Sequence, residues 1–316
     1  MTDLLADLLR ANLAASLAIA LVFALRLPAR RLFGAEMAYR LWLMVPLAFV
    51  ASLVPAAEAP NATPGPSLPL PISLTQPAGL SLAVEVWAAG AVALLALMAF
   101  GQWRFLQRAK AGAAGPAVVG VIAPRIVTPA DHHDRFTPEE RALVRAHERA
   151  HIDRGDPKVN AWVALAQAIN WFNPLVHLAA YHVRLDQELA CDATVMARRP
   201  SERRRYAQTM LKTQLAADPL PFGCHWPAPS RHPLEARIDM LKQARPSQSR
   251  ALAGFWVVMA LAGAAGLGAW AAQPPAPPHV RWLDQPHQAA LRREPATVVV
   301  ISLSADQVKA LTVAAR

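Results

Sequence analysis

His147 and His151 stand four residues apart, with Glu148 beside the first, in the run His147-Glu148-Arg149-Ala150-His151. On a helix of 3.6 residues per turn this spacing puts both imidazoles on one face, one turn apart, where they can chelate a single ion. Glu148 projects beside them, where a carboxylate can take a proton from a metal-activated water and pass it to a leaving amine. The pattern H-E-x-x-H therefore describes the chemistry of a zinc metallopeptidase. Five residues with three fixed positions also recur by chance, as a surface helix bearing two exposed histidines, so the surroundings decide.

A catalytic zinc needs a third protein ligand and an open fourth position. Glu188, within Asp186-Gln187-Glu188-Leu189-Ala190-Cys191-Asp192, is the best candidate to complete a His147, His151, Glu188 set. Asp192, one turn further on, can orient a ligand from behind; the alternative is a surface carboxylate paired with Arg184 or Arg198. His177 and His182 lie in a stretch that reads as packing. Asp153 and Asp156 follow the motif so closely that they would have to fold back over their own helix end. They are read instead as stopping the helix with Gly155 and Pro157, or as binding Arg154 and Lys158. His132, His133, His225 and His232 read as solvent-facing loop residues.

The elements that must position these residues are set by an unusual composition. Apolar residues make up 54% and charged ones 17% of the 316, against roughly 45–50% and 25% in soluble domains, which points to a bilayer. Four segments are apolar enough to cross one: Leu13 to Leu27, Leu41 to Pro55, Leu80 to Trp103 and Ala251 to Ala272. A cleaved signal peptide fits the start poorly, because Arg26, Arg30 and Arg31 follow the apolar run instead of preceding it.

The net charge of +10 would suggest nucleic-acid binding in a soluble chain. Here it reads as loop bias, and the Arg198-Arg199 and Arg203-Arg204-Arg205 clusters as partners of anionic headgroups, so no direct nucleic-acid contact is expected. The first loop carries Arg26, Arg30, Arg31 and Arg40, no Lys or Arg occurs from Leu41 to Trp103, and positive charge resumes at Arg104 and persists to Arg250. The positive-inside rule then puts the N-terminus outside and residues 104–250 in the cytoplasm. The expected fold is a mainly α integral membrane protein. Residues 1–103 form three spans with a Pro-rich outer loop at 56–79. Residues 104–250 form a cytoplasmic zinc peptidase domain of helices with a small β element, 251–272 a fourth span, and 273–316 a short extracytoplasmic tail. Thr297 to Leu303 in that tail reads as a strand. The two cysteines, Cys191 and Cys224, imply no disulfide framework.

Within the cytoplasmic region, Pro116 to Val127 reads as a strand pair turning at Ala123-Pro124. Thr137-Pro138-Glu139-Glu140 starts the motif helix with an N-cap, a first-position Pro and an acidic first turn. No charged residue lies between Lys158 and Arg184, so hydropathy would allow a fifth crossing, but one crossing would put Glu188 across the bilayer from His147. The Asn173-Pro174 step should break the stretch into two helices, interfacial or shallowly re-entrant, that bring Glu188 back.

The chain resembles the BlaR/MecR family of membrane metallopeptidases, the antirepressor sensor-transducers of β-lactam resistance. The resemblance rests on Val118-Val119-Gly120, Pro124-Arg125-Ile126-Val127, the H-E-x-x-H run, Trp171-Phe172-Asn173-Pro174-Leu175-Val176, Arg184, Asp186, Glu188, Cys191-Asp192, His232-Pro233-Leu234 and Arg237-Ile238. It implies a gluzincin-type zinc site with His147, His151 and Glu188 as ligands and Glu148 as general acid and base. It also implies a cytoplasmic protein substrate such as a transcriptional repressor. The best-known members carry a penicillin-binding sensor with a Ser-x-x-Lys nucleophile motif. The tail after Ala272 has neither that motif nor Lys-Thr-Gly, so β-lactam sensing by this chain is not expected. The competing reading is a non-catalytic membrane receptor or scaffold with a structural zinc, and a homodimer remains open under either.

Overall fold

The computed structural model describes residues 2–55, 77–215, 233–243 and 245–273. Helices α1 (Thr2–Phe33), α2 (Ala35–Arg40) and α3 (Met44–Ala51) open the chain, followed by α4 (Pro77–Lys110). A two-stranded antiparallel hairpin, β1 (Ala117–Val119) and β2 (Arg125–Val127), leads to the short α5 (His132–Arg135) and to α6 (Pro138–Arg154), which carries the H-E-x-x-H run. Then come α7 (Asp156–Ile169), α8 (Pro174–Arg198), α9 (Arg203–Leu215), α10 (Pro233–Lys242) and α11 (Gln248–Ala271).

Among the described residues, three helices are long and apolar enough to cross a membrane, over Ala6–Phe33, Leu82–Lys110 and Gln248–Ala271. They match three of the four expected segments, and Leu17, Val92, Leu97, Trp256 and Leu267 stand exposed on them as hydrocarbon-facing residues would. The segment Leu41 to Pro55 differs from expectation. It forms no single long helix but a 3-10 turn at Leu41–Leu43 followed by the 8-residue α3. Pro46 explains the break, since it has no N–H to give the carbonyl one turn back and so leaves that turn loose. The loop 56–76, Cys224, His225, His232 and the tail from 274, including the expected strand at 297–303, lie outside the described residues.

Two apolar clusters meet along α8. The first joins Ile19 and Val22 of α1, Met37 of α2, Met44 of α3, Val176 and Val183 of α8 and Val258 of α11. The second joins Leu143 and Ala150 of α6, Cys191 and Val195 of α8, Tyr206 of α9 and Leu241 of α10. One helix thus packs its first half against the long apolar helices and its second half against the motif helix.

The uncharged stretch is a helical hairpin. Asn170 ends α7, and the Asn173 side chain accepts from the Leu175 N–H to start α8 at Pro174. The turn is tied to α1 by Asn12 to Asn170 (2.6 Å) and by Asn173 to Asn12 and Ser16 (2.9 Å each). It is tied to α4 by Trp87 Nε1 donating to the Ile169 carbonyl (2.8 Å) and Trp171 Nε1 to the Trp87 carbonyl (3.1 Å). Gly90 lets Trp171 come this close, because a Cβ there would sit 2.2 Å from the indole.

Candidate metal centre

Helix α6 is fixed at both ends. Thr137 Oγ1 accepts from the Glu140 N–H (3.3 Å) and Glu140 Oε2 accepts from the Thr137 N–H (3.0 Å), the reciprocal capping box its sequence announces. Gly155 closes it in the left-handed region at φ 73°. Leu143, Val144 and Ala150 bury one side of the helix and leave His147, Glu148 and His151 facing α8.

The imidazoles converge, with His147 Nε2 and His151 Nε2 3.1 Å apart. Glu188 closes the triangle: its Oε2 lies 3.4 Å from His147 Nε2 and its Oε1 3.5 Å from His151 Nε2. The hairpin therefore returns Glu188 to the histidines. Cys191, which sequence reasoning passed over as a candidate, also lies close enough for its Sγ to share an ion with the two histidines. In the structure Sγ faces the His147 carbonyl at 3.3 Å.

Each histidine is oriented from behind. His151 Nδ1 lies 2.7 Å from Asp156 Oδ2, and a carboxylate can only accept, so the proton is on Nδ1. Tyr206 Oη donates to Asp192 Oδ1 (2.7 Å) and is therefore free to accept from His147 Nδ1 at 2.8 Å; Asp192 Oδ1 is itself 3.3 Å from that nitrogen. Both Nδ1 protons point away from the centre and both Nε2 atoms point into it, so each ring offers an Nε2 lone pair to a metal once it is neutral. Asp192 pairs with Arg237, whereas Arg184 reaches Gln167 and Arg198 approaches Asp153.

The electrostatics follow from burial and neighbours. Burial pushes the Glu148 carboxyl up, and the positive charge of His147 and His151 offsets this only in part. Burial would lower His151, but Glu188 and Asp156 outweigh it and raise it to about 10. Burial would raise Asp192, but Arg237 outweighs it and holds it at about 2. Arg237 likewise holds Glu188 well below the usual carboxylate range against the effect of burial.

Two sequence-level readings change. Asp156 meets Arg154 as expected, Oδ2 to Nε at 3.4 Å, but it also folds back over the helix end, because the positive φ of Gly155 reverses the chain, and reaches the outer nitrogen of His151 and not the centre itself. His132 is buried against Phe136 and does not face solvent, while His133 is exposed. His177 and His182 pack away from the centre, His177 against Gln167 and the Trp171 carbonyl, His182 against Phe23 and Tyr181. The contribution of Tyr206 had no signal beyond a large polar ring inside a helix. Arg237 had one only as part of the resemblance.

No solved structure matches the chain. Over 81 residues it is 35% identical to "Regulatory protein BlaR1" of Bacillus licheniformis, a stretch covering 26% of this chain and only 13% of that protein. A family model described as BlaR1 peptidase M56 matches residues 6–241, from the first apolar helix through the motif helix to the end of α10, and the chain belongs to that peptidase family.

Proposed function

We propose that this chain is a zinc metalloendopeptidase of the bacterial inner membrane, with His147, His151 and Glu188 as metal ligands, Glu148 as general base and acid, and Asp192 and Asp156 orienting the histidines. The observation that carries the reading is the convergence of three donor groups. Four ligands at zinc–nitrogen and zinc–oxygen distances of about 2.0–2.1 Å in a tetrahedron lie about 3.3 Å from one another; the two Nε2 atoms are 3.1 Å apart, and the Glu188 carboxylate approaches His147 Nε2 at 3.4 Å through Oε2 and His151 Nε2 at 3.5 Å through Oε1. Two neutral imidazoles and one carboxylate are also a donor set suited to zinc. Glu188 is preferred to Cys191 because its oxygens face both Nε2 atoms, whereas Sγ is engaged with a carbonyl in the apolar cluster.

Zinc bound there would acidify a water and polarise the scissile carbonyl. Glu148, whose buried carboxyl is biased toward holding a proton, takes the proton released as the water oxygen bonds to the carbonyl carbon. It returns that proton to the amide nitrogen as the C–N bond breaks, leaving a carboxylic acid and an amine. Asp192, Tyr206 and Asp156 keep the two imidazoles in the tautomer that presents Nε2.

By charge bias the centre faces the cytoplasm, where the substrate is a protein such as a transcriptional repressor cut in response to a signal from outside or from the bilayer. Comparing proteomes of cells carrying the wild type and Glu148→Gln tests this: the variant should retain zinc and lose all cleavage. Persistent cleavage by that variant would overturn the assignment.

A further inference from the structure

Arg237 is the centre's other charged contributor, and it arrives from α10. Only 7% of it is exposed, so its charge must be matched inside the protein. The match is complete in the fork geometry peculiar to arginine. Nε donates to Asp192 Oδ2 (2.8 Å) and one terminal nitrogen to Asp192 Oδ1 (2.7 Å), while the other terminal nitrogen lies 2.8 Å from Glu188 Oε2. Asp192 and Glu188 stand one turn apart on α8 and would repel each other. The guanidinium lies between them.

We infer that Arg237 is a positioning residue that occupies one oxygen of Glu188 and leaves the other as its sole metal-binding atom. The inference rests on the zinc reading above. Oε2, 3.4 Å from His147 Nε2, is engaged by Arg237 at 2.8 Å, so Oε1, 3.5 Å from His151 Nε2, is the oxygen that the guanidinium leaves uncovered. A carboxylate restricted to one oxygen keeps coordination positions free for the water and the substrate carbonyl that hydrolysis needs. The same guanidinium fixes Asp192, which in turn holds Tyr206 against His147. Arg237 thus sets two of the three ligands at once, from a helix on the far side of the 216–232 segment.

The test uses the full chain in detergent, with zinc affinity measured by chelator competition and coordination number read from the visible spectrum after cobalt(II) substitution. Wild type should show the intense bands of a four-coordinate ion. Arg237→Gln should bind zinc about 10- to 100-fold more weakly, as losses of orienting partners do. It should also show weaker cobalt bands, because Glu188 can now engage through both oxygens. A merely structural role for Arg237 would not move the cobalt spectrum of folded protein. Arg237→Lys keeps the charge without the fork and should shift both readouts in the same direction by less; it is the variant to read if Arg237→Gln does not fold. Normal zinc uptake with unchanged affinity and cobalt spectrum in the folded variant overturns the inference alone. Wild-type protein that takes up no zinc overturns the zinc reading and this inference with it.

Discussion

His147 and His151 are the same residue one turn apart, yet they are held by different parts of the chain. Behind His147 stands a set of short contacts from α8, α9 and α10, in which Asp192 accepts from both Tyr206 and Arg237 at 2.7–2.8 Å. Behind His151 the chain of contacts runs outward. Asp156 holds the imidazole at 2.7 Å, but is itself held by longer contacts, Tyr39 Oη and Arg154 Nε at 3.4 Å each. Arg154 is paired with Glu36, and Tyr39 accepts from Gln187 at 3.1 Å. Glu36 and Tyr39 lie on α2, directly after the first long apolar helix. One flank of the centre is thus built by the helices packed around the motif, and the other leans on the region next to the membrane.

That contrast can be broken at several points. The largest effect belongs to Glu188, the proposed ligand that the flanks share. Glu188→Gln should cost more than about 100-fold in zinc affinity, beyond the range for orienting partners, while Cys191→Ser stays near wild type; the reverse order would move the third ligand to Cys191. Acidity comes next. Metal-free His151 is raised to about 10, so it is protonated at neutral pH and zinc must displace that proton. Affinity should rise about tenfold per pH unit for each proton displaced, and calorimetry in buffers of different ionisation enthalpy should record proton release. The sign for the metal-free fold is opposite. A histidine raised on folding contributes stability that is full below the unfolded value near 6.5 and is lost as pH rises through about 10.

Asp192→Asn and Asp156→Asn should each weaken zinc binding by about 10- to 100-fold. The first should also destabilise the metal-free protein more than the second, by at most about 3–5 kcal/mol, because buried Arg237 keeps only its contact with Glu188; equal loss of thermal stability in the two variants would erase the distinction between the flanks. Smallest is Tyr39→Phe, which removes the 3.4 Å bond to Asp156 and the 3.1 Å bond accepted from Gln187, each worth about 1 kcal/mol, and should weaken zinc binding only a few-fold by the same competition assay.

Much of the inner frame was legible because its signals are local. Thr137 through Glu140 specify the start of α6, and the 3.6-residue period then fixes which way His147 and His151 face. The Asn173-Pro174 step ends one helix and caps the next. The orienting residues were not legible, since their roles depend on contacts between distant segments. Tyr39 and Asp156 are separated by 117 positions, and Arg237 and Asp192 by 45. Asp156 is close in sequence, but its direction depends on a single positive φ at Gly155. Leu41 to Ala51 differs for the opposite reason: hydropathy records how apolar a run is, and Pro46 decides where its hydrogen-bond ladder tightens into a 3-10 turn.

The α7–α8 hairpin is also a ruler. Helix α7 uses 14 residues to reach the turn, and α8 uses about as many before Glu188. One residue more or fewer in either arm would move Glu188 by about 1.5 Å along the axis and about 100° around it, turning it away from the histidines. Relatives that share this centre should therefore vary freely in the identity of the arm residues but hardly in their number, with length changes confined to the turn or compensated between the two arms.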